Sequence, residues 1–270
     1  MSKQNRVRLM LVISLLLTVC CGPLLAVNNG NTPVNTPASA RRMIEDLIKT
    51  NGEKYKGGKD FLKRLDAIDA KLKANKGDKT AQVDLAKLIT EASLANPLLD
   101  VDKILVIRRT REANRGGNYL SSDSIKRTGW DNDIAELSNL RGEVKTRQIY
   151  QHPNKSLIKH VDLHFSGQKL MFTGVGANGK LAILEVDANG KNLKELTPSD
   201  QKDVQWFDGC YLPEEGNIVG CSTAGMQGLP CIGGGAPMAN IYKVDTKSGK
   251  IRQLTFEQDS DWHPRVHHNG

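Results

Sequence analysis

Residues 181–197 read LAILEVDANGKNLKELT, and residues 239–255 read ANIYKVDTKSGKIRQLT. The two stretches share an alternating apolar run, a Val-Asp pair, a Gly-containing turn and a closing Leu-Thr. Asp187 matches Asp245, and Leu196 matches Leu254. Alternation that meets an Asp/Gly turn and resumes in a second short run is the pattern of a β-hairpin. Its recurrence in one chain points to a repeat architecture.

Each copy is preceded by a matched pair of apolar runs. Residues 160–165 and 169–173 flank Ser166-Gly167-Gln168, and residues 207–212 and 217–222 flank Pro213-Glu214-Glu215-Gly216. Four antiparallel strands per unit make a propeller blade. The pattern opens a third time at 261–266 and reaches a turn at Asn269-Gly270. The expected fold is therefore mainly β with an α-helical N-terminal part. Residues 159–270 would form a partial β-propeller, two four-stranded blades plus the first strand of a third. Because such rings close with about four to eight blades, the expectation is a fragment, the front portion of a longer protein.

Residues 1–26 read as an export signal. Lys3, Arg6 and Arg8 supply the positive start, residues 9–19 the apolar run and Ala26 a cleavage position. Cys20 and Cys21 raise the alternative of a lipid anchor, but neither follows the small residue that lipidation needs. Export to the periplasm or medium is expected, with no membrane span after signal removal. Residues 27–37 (VNNGNTPVNTP) read as a disordered linker. Thr36-Pro37 then makes a helix start, and apolar residues at helical spacing mark three amphipathic helices in a small helical domain, residues 38–100. One set is Ala40, Ile44 and Leu47, the next Phe61, Leu65 and Ile68, the last Leu85, Leu88 and Ala92. Residues 101–158 read as a connecting region, with a strand at 103–108 and a long loop at 112–124.

The net charge is +8. In the helical part the cations are interleaved with acids, and no basic block carries interspersed aromatics. A nucleic-acid partner is therefore not expected. In a propeller the loops 198–205, 223–238 and 256–261 would leave one face, where binding residues tend to lie. Asp203, Asp259 and Asp261 fall on these loops or at their ends, as do Gly233, Gly234 and Gly235, whose backbone can approach a ligand closely. The expected partner is a protein or small molecule at this loop face. His160, Asp162 and His164 alternate along a strand and so would share one face, a weak metal-ligand set and a binding candidate. The sequence has no CxxCH haem motif, no paired-Cys zinc spacing and no GxSxG elbow. The reading is a chain without a catalytic centre or cofactor of its own.

After the signal three cysteines remain, Cys210, Cys221 and Cys231. The hairpin around Glu214-Glu215 would pair 210 with 219 and 208 with 221, so Cys210 and Cys221 are diagonal neighbours, awkward for a disulfide. Cys231, in a loop, could reach either, and free buried thiols are the alternative.

A series of motifs carries a resemblance. In order they are Ala95-Asn96-Pro97-Leu98-Leu99-Asp100, residues 126–134 (KRTGWDNDI), Asp162-Leu163-His164-Phe165, Cys210-Tyr211-Leu212-Pro213, Gly228-Leu229-Pro230-Cys231 and residues 253–259 (QLTFEQD). Together they are similar to exported proteins related to the α subunit of hydrazine synthase, and the repeat resembles the WD40-like blades of TolB-type propellers. The resemblance implies a six-bladed ring, and it implies a disulfide between Cys210 and Cys231. It also implies haem chemistry only if a longer form carries a cytochrome-like portion beyond Gly270; the alternative to a binding module is thus the front part of a haem-dependent redox enzyme.

Overall fold

The computed structural model describes residues 35–109 and 127–267. The expected signal segment, most of the linker, the 112–124 loop and the final turn at Asn269-Gly270 lie outside them. The chain divides into two compact units. Among the described residues, one takes those up to Lys103 together with Ser138–Lys145, and the other takes those from Ile104 to Leu137 and from Thr146 onward.

The first unit is helical: α1 (Pro37–Asn51), α2 (Gly58–Ala74) and α3 (Lys79–Leu94). Thr36 and Ser39 form a reciprocal cap that satisfies the first free amides of α1, with Pro37 where its missing N–H costs nothing. The Asp78 carboxylate accepts from the Thr80 and Ala81 amides at 2.9 and 3.0 Å and starts α3 in the same way. The inward stripes pack as one core of Ala40, Ile44, Leu65, Ile68, Leu85, Leu88 and Ala92. Tyr55 joins this core and donates its hydroxyl to the Ala92 carbonyl at 2.8 Å.

The second unit holds three antiparallel sheets. The first is β1 (Lys103–Arg109), β2 (Asn132–Ser138) and β3 (Lys145–Tyr150), ordered β1-β2-β3. The second is β4 (Lys159–Leu163), β5 (Lys169–Val175), β6 (Leu181–Asp187) and β7 (Lys194–Glu195) in chain order. The third is β8 (Trp206–Tyr211), β9 (Asn217–Ser222), β10 (Asn240–Asp245) and β11 (Ile251–Gln253), also a simple meander. The first sheet is a departure from expectation, because residues 101–158 read as one strand and a loop. Its β2–β3 hairpin in fact carries the repeat: Ile134, Leu137, Gly142, Gln148 and Ile149 stand where Ile241, Val244, Gly249, Gln253 and Leu254 stand in the third sheet.

The repeated residues have identifiable work. Asp245 accepts from the Lys247 and Ser248 amides at 2.9 and 3.2 Å, and Asp187 accepts from Asn192 at 2.6 Å. Each Asp therefore closes its own turn. The Ser248 hydroxyl and these amides hold the Asp245 carboxyl below its usual range. The Leu-Thr pair docks the last strand. Leu196 and Leu254 amides donate to the Ile183 and Ile241 carbonyls at 2.9 and 2.8 Å. Thr197 and Thr255 hydroxyls accept from the amides of the same two isoleucines at 3.2 and 2.8 Å.

The sheets stack in sequence order. Ile134 of the first packs with Leu170, Phe172, Leu184 and Val186 of the second. Met171 and Ile183 of the second pack with Trp206, Ile218, Tyr242 and Val244 of the third. Residues 261–267 follow β11 without regular secondary structure, and Trp262 lies against Phe207 of β8 with ring centroids 5.6 Å apart.

Candidate functional site

The chemistry of the β unit gathers where the first strands of successive sheets begin. β4 pairs with β5 through Lys159↔Thr173 and then Asp162↔Met171, so one residue is extra between them. β8 repeats the irregularity, pairing Phe207↔Cys221 and then Cys210↔Val219. These are β-bulges. At each one a non-glycine residue takes positive φ, His160 at 51° and Asp208 at 53°. His263 does the same at 53° in the segment after β11. The three residues hold equivalent places at the start of β4, at the start of β8 and in the segment after β11, with Lys159, Phe207 and Trp262 before them.

The bulges turn three side chains toward one point. His160 Nε2 lies 3.0 Å from Asp208 Oδ1, and His263 Nδ1 lies 2.9 Å from Asp208 Oδ2. The two imidazole centroids are 4.1 Å apart. The Asp208 side chain is wholly buried, that of His160 is 18% exposed and that of His263 is 44% exposed. Lys159 Nζ stands 3.9 Å from Asp208 Oδ1. The Asp208 amide donates to Thr173 Oγ1 at 2.8 Å, which fixes the kink to the neighbouring sheet.

Burial drives the His160 pKa down to about 3; Asp208 opposes the shift only in part. His160 is therefore neutral at ordinary pH, able to be a donor or a lone-pair ligand but not both at Nε2. Burial pushes the Asp208 carboxyl up, but His263, His160 and Lys159 outweigh it and the net displacement is downward. Burial lowers the Lys159 pKa against the pull of Asp208.

The expected set of His160, Asp162 and His164 is not what the fold assembles. The bulge after Lys159 breaks the alternation that would have put the three on one face. Asp162 instead accepts from the Tyr211 amide at 2.9 Å, tying β4 to β8, and burial raises its pKa. His164 folds over its own turn, its Nδ1 accepting from the Ser166 amide at 3.1 Å, and its ring meets Tyr211 edge-on at 4.8 Å. Asp208 was missed. Its signal was faint: a carboxylate before Gly209 at the position that His160 holds one unit earlier.

Most of the loop-face candidates lie in solvent: Asp203, Asp259, Gly233, Gly234 and Gly235 are exposed. Gly233 and Gly234 take φ of 64° and 76° and close a short turn after Pro230–Ile232, so their freedom serves the loop's own fold. That loop is packed on itself: Leu229, Ala236 and Met238 form a small buried core. Asp261 is half-buried and accepts from the Thr255 hydroxyl.

The Cys210–Cys231 disulfide is not formed; Cys210, Cys221 and Cys231 are all free thiols. Cys210 is buried in β8, opposite Val219, whereas Cys231 is exposed in the loop that follows Ser222. The register also corrects the expected pairing of 208 with 221, since Phe207 takes that place. Burial raises the Cys210 pKa to about 11 and pushes the Cys221 thiol up as well. Under native conditions an alkylating reagent is therefore expected to modify the exposed Cys231 and to reach Cys210 and Cys221 only after denaturation, read by peptide mass spectrometry. Failure of Cys210 and Cys231 to react in denaturant without reductant, with Cys221 still modified, would restore the disulfide.

No protein-family model matches the chain, and no curated protein matches it. Solved structures with similarity include TolB from Acinetobacter baumannii, at 18% identity and TM-score 0.34, over 51% of this chain and 33% of that one. A protein described as TolB from Agrobacterium tumefaciens shares 13% identity at TM-score 0.36, over 61% and 57%. The β-propeller domain of the Trilobed protease from Pyrococcus furiosus shares 9% at TM-score 0.31, over 57% and 39%. The chain thus spans between a third and three-fifths of the length of these structures. Similarity at this level says nothing of activity. No helix among the described residues is long and apolar enough to cross a membrane.

Proposed function

We propose that this chain is an exported β-propeller module of the TolB-like kind that binds a protein or small ligand on one face, without a catalytic centre of its own. The observation that carries the reading is the sequential stacking of repeated hairpin sheets. Their loops 198–205, 223–238 and 256–261 leave the same end as the His160–Asp208–His263 cluster. Two four-stranded meanders that share one face-to-face core form neighbouring blades in this reading. The β2–β3 hairpin belongs to a further blade before them. The proposal keeps residues 1–26 as an export signal, 27–37 as a spacer and 38–100 as a helical domain. The motif likeness to hydrazine synthase α-related proteins supports placement outside the cytoplasm.

Met226 stands in the turn that opens the 223–238 loop, 67% exposed and at positive φ. A photoreactive amino acid at position 226 is expected to give a discrete crosslinked adduct in intact cells, while one at position 189, in the turn at the other end of the sheets, gives none. An adduct from 189 alone, or from neither site, would refute the loop-face reading.

A further inference from the structure

We propose that His160, Asp208 and His263 bind one divalent first-row transition metal ion, of which Zn2+ and Co2+ are the probes. The site stands whether or not the loop face binds a partner. Among the described residues these three form a group whose donor atoms, two imidazole nitrogens and a carboxylate oxygen, lie within 4.8 Å of one another. Such a mixed set suits Zn2+, Co2+, Fe2+ or Mn2+ better than Ca2+ or Mg2+, which prefer oxygen alone.

The spacing is close to that of a bound ion and needs one ring to move. Ligands at about 2.0–2.2 Å from a metal are about 3.0 Å apart at right angles and about 3.4 Å apart in a tetrahedron. His160 lies 3.0 Å from one Asp208 oxygen and His263 2.9 Å from the other, and the donor atoms spread over up to 4.8 Å, so the exposed His263 imidazole would draw in as the ion binds.

A second observation separates a metal site from a plain ion pair. Both Asp208 oxygens and His160 Nε2 are buried, and none has a partner in hydrogen-bonding geometry. The nitrogens are near enough but off the line that a shared proton needs. Buried carboxylates are normally satisfied by well-aligned donors or by a cation. Asp208 has the neighbours without the alignment.

The backbone points the same way. Three non-glycine residues at positive φ, in equivalent places of three successive segments, hold conformations that persist where a site requires them. The access is one-sided, through the exposed His263 imidazole, so protein ligands occupy three positions and leave the rest open. Structural zinc sites are closed, whereas sites that bind or exchange a further ligand keep an opening. Lys159, its Nζ 3.9 Å from Asp208 Oδ1, stands beside the ion. The ligand at the open position is therefore an anion, hydroxide or a carboxylate.

The test uses the untagged full chain, stripped with chelator and dialysed against Zn2+ or Co2+, with bound metal counted by mass spectrometry. Wild type and His164→Ala are expected to hold one ion per chain. His263→Gln and Asp208→Asn are expected to bind more than about 100-fold more weakly, beyond the loss typical of removing a mere supporting group. Asp208 is buried and its variant can fail to fold; His263 is exposed, so His263→Gln then decides, with folding checked by near-UV circular dichroism. The proposal falls if wild type takes up no stoichiometric metal, or if His263→Gln binds as wild type does. Thiolate-to-cobalt charge transfer would also sink it, by placing the ion on the cysteines.

Discussion

Trp206→Ala is expected to lower the unfolding free energy by about 3–5 kcal/mol, the range for removing a large aromatic from a packed core. Trp206 is 2% exposed and meets the Tyr242 ring edge-on at 5.6 Å. It sits in the core that joins the second and third sheets, with Met171 and Ile183 on one side and Ile218 and Val244 on the other. Its loss leaves a cavity at a junction rather than within one sheet, so the surroundings can close it only by drawing two sheets together. Urea unfolding followed by tryptophan-independent far-UV dichroism measures the change. The exposed Leu193→Ala serves as the control and is expected to change stability by less than about 0.5 kcal/mol. A Trp206→Ala loss no larger than that of the control would mean that the two sheets do not share a core.

Gly190→Ala is expected to cost about 2–5 kcal/mol, from two sources that a control can separate. Gly190 has φ of 81°, where any side chain adds roughly 1–2 kcal/mol of backbone strain. A Cβ built there would also stand 1.9 Å from the Ile149 carbonyl oxygen, so the 187–190 turn and β3 would have to part. Overpacking of this kind adds about 1–3 kcal/mol. Gly179 has φ of 74° but nothing within 4 Å of its built Cβ. Gly179→Ala is therefore expected to show the strain alone, and the difference between the two variants, measured by chemical denaturation, reports the contact between the first and second sheets. Equal losses at the two positions would mean that the turn and β3 are not in contact.

How much of this was legible in the sequence differs by element. The hairpins of the second and third sheets could be read because alternation, an Asp-capped turn and a terminal Leu-Thr coincide, and each has a physical task in the fold. The β2–β3 hairpin hid because Lys145 and Thr146 lengthen it, Ser138 replaces the Asp, and Tyr150 replaces the Thr. The three helices were marked by caps and stripes that act locally, so little tertiary information was needed.

The candidate site was legible only in part. His160, Asp259 and Asp261 stood out in the sequence, but which side chains meet depends on bulges after Lys159 and Phe207. A bulge adds one residue and reverses the face of every later residue in its strand, and nothing in the residue types announces it. Asp162 and His164 were therefore placed with the wrong companions. The Cys210–Cys231 pairing came from likeness to a family, and the structure leaves both as free thiols, one buried and one exposed.

The central claim is that three successive segments kink at equivalent residues and bring His160, Asp208 and His263 to one metal-binding point. Anomalous diffraction at the zinc absorption edge, from crystals of the full chain grown with Zn2+, tests it most directly. The account predicts a single strong peak about 2.0–2.2 Å from His160 Nε2, an Asp208 oxygen and His263 Nδ1. Two imidazoles turned away from Asp208, with no peak between them, would contradict it.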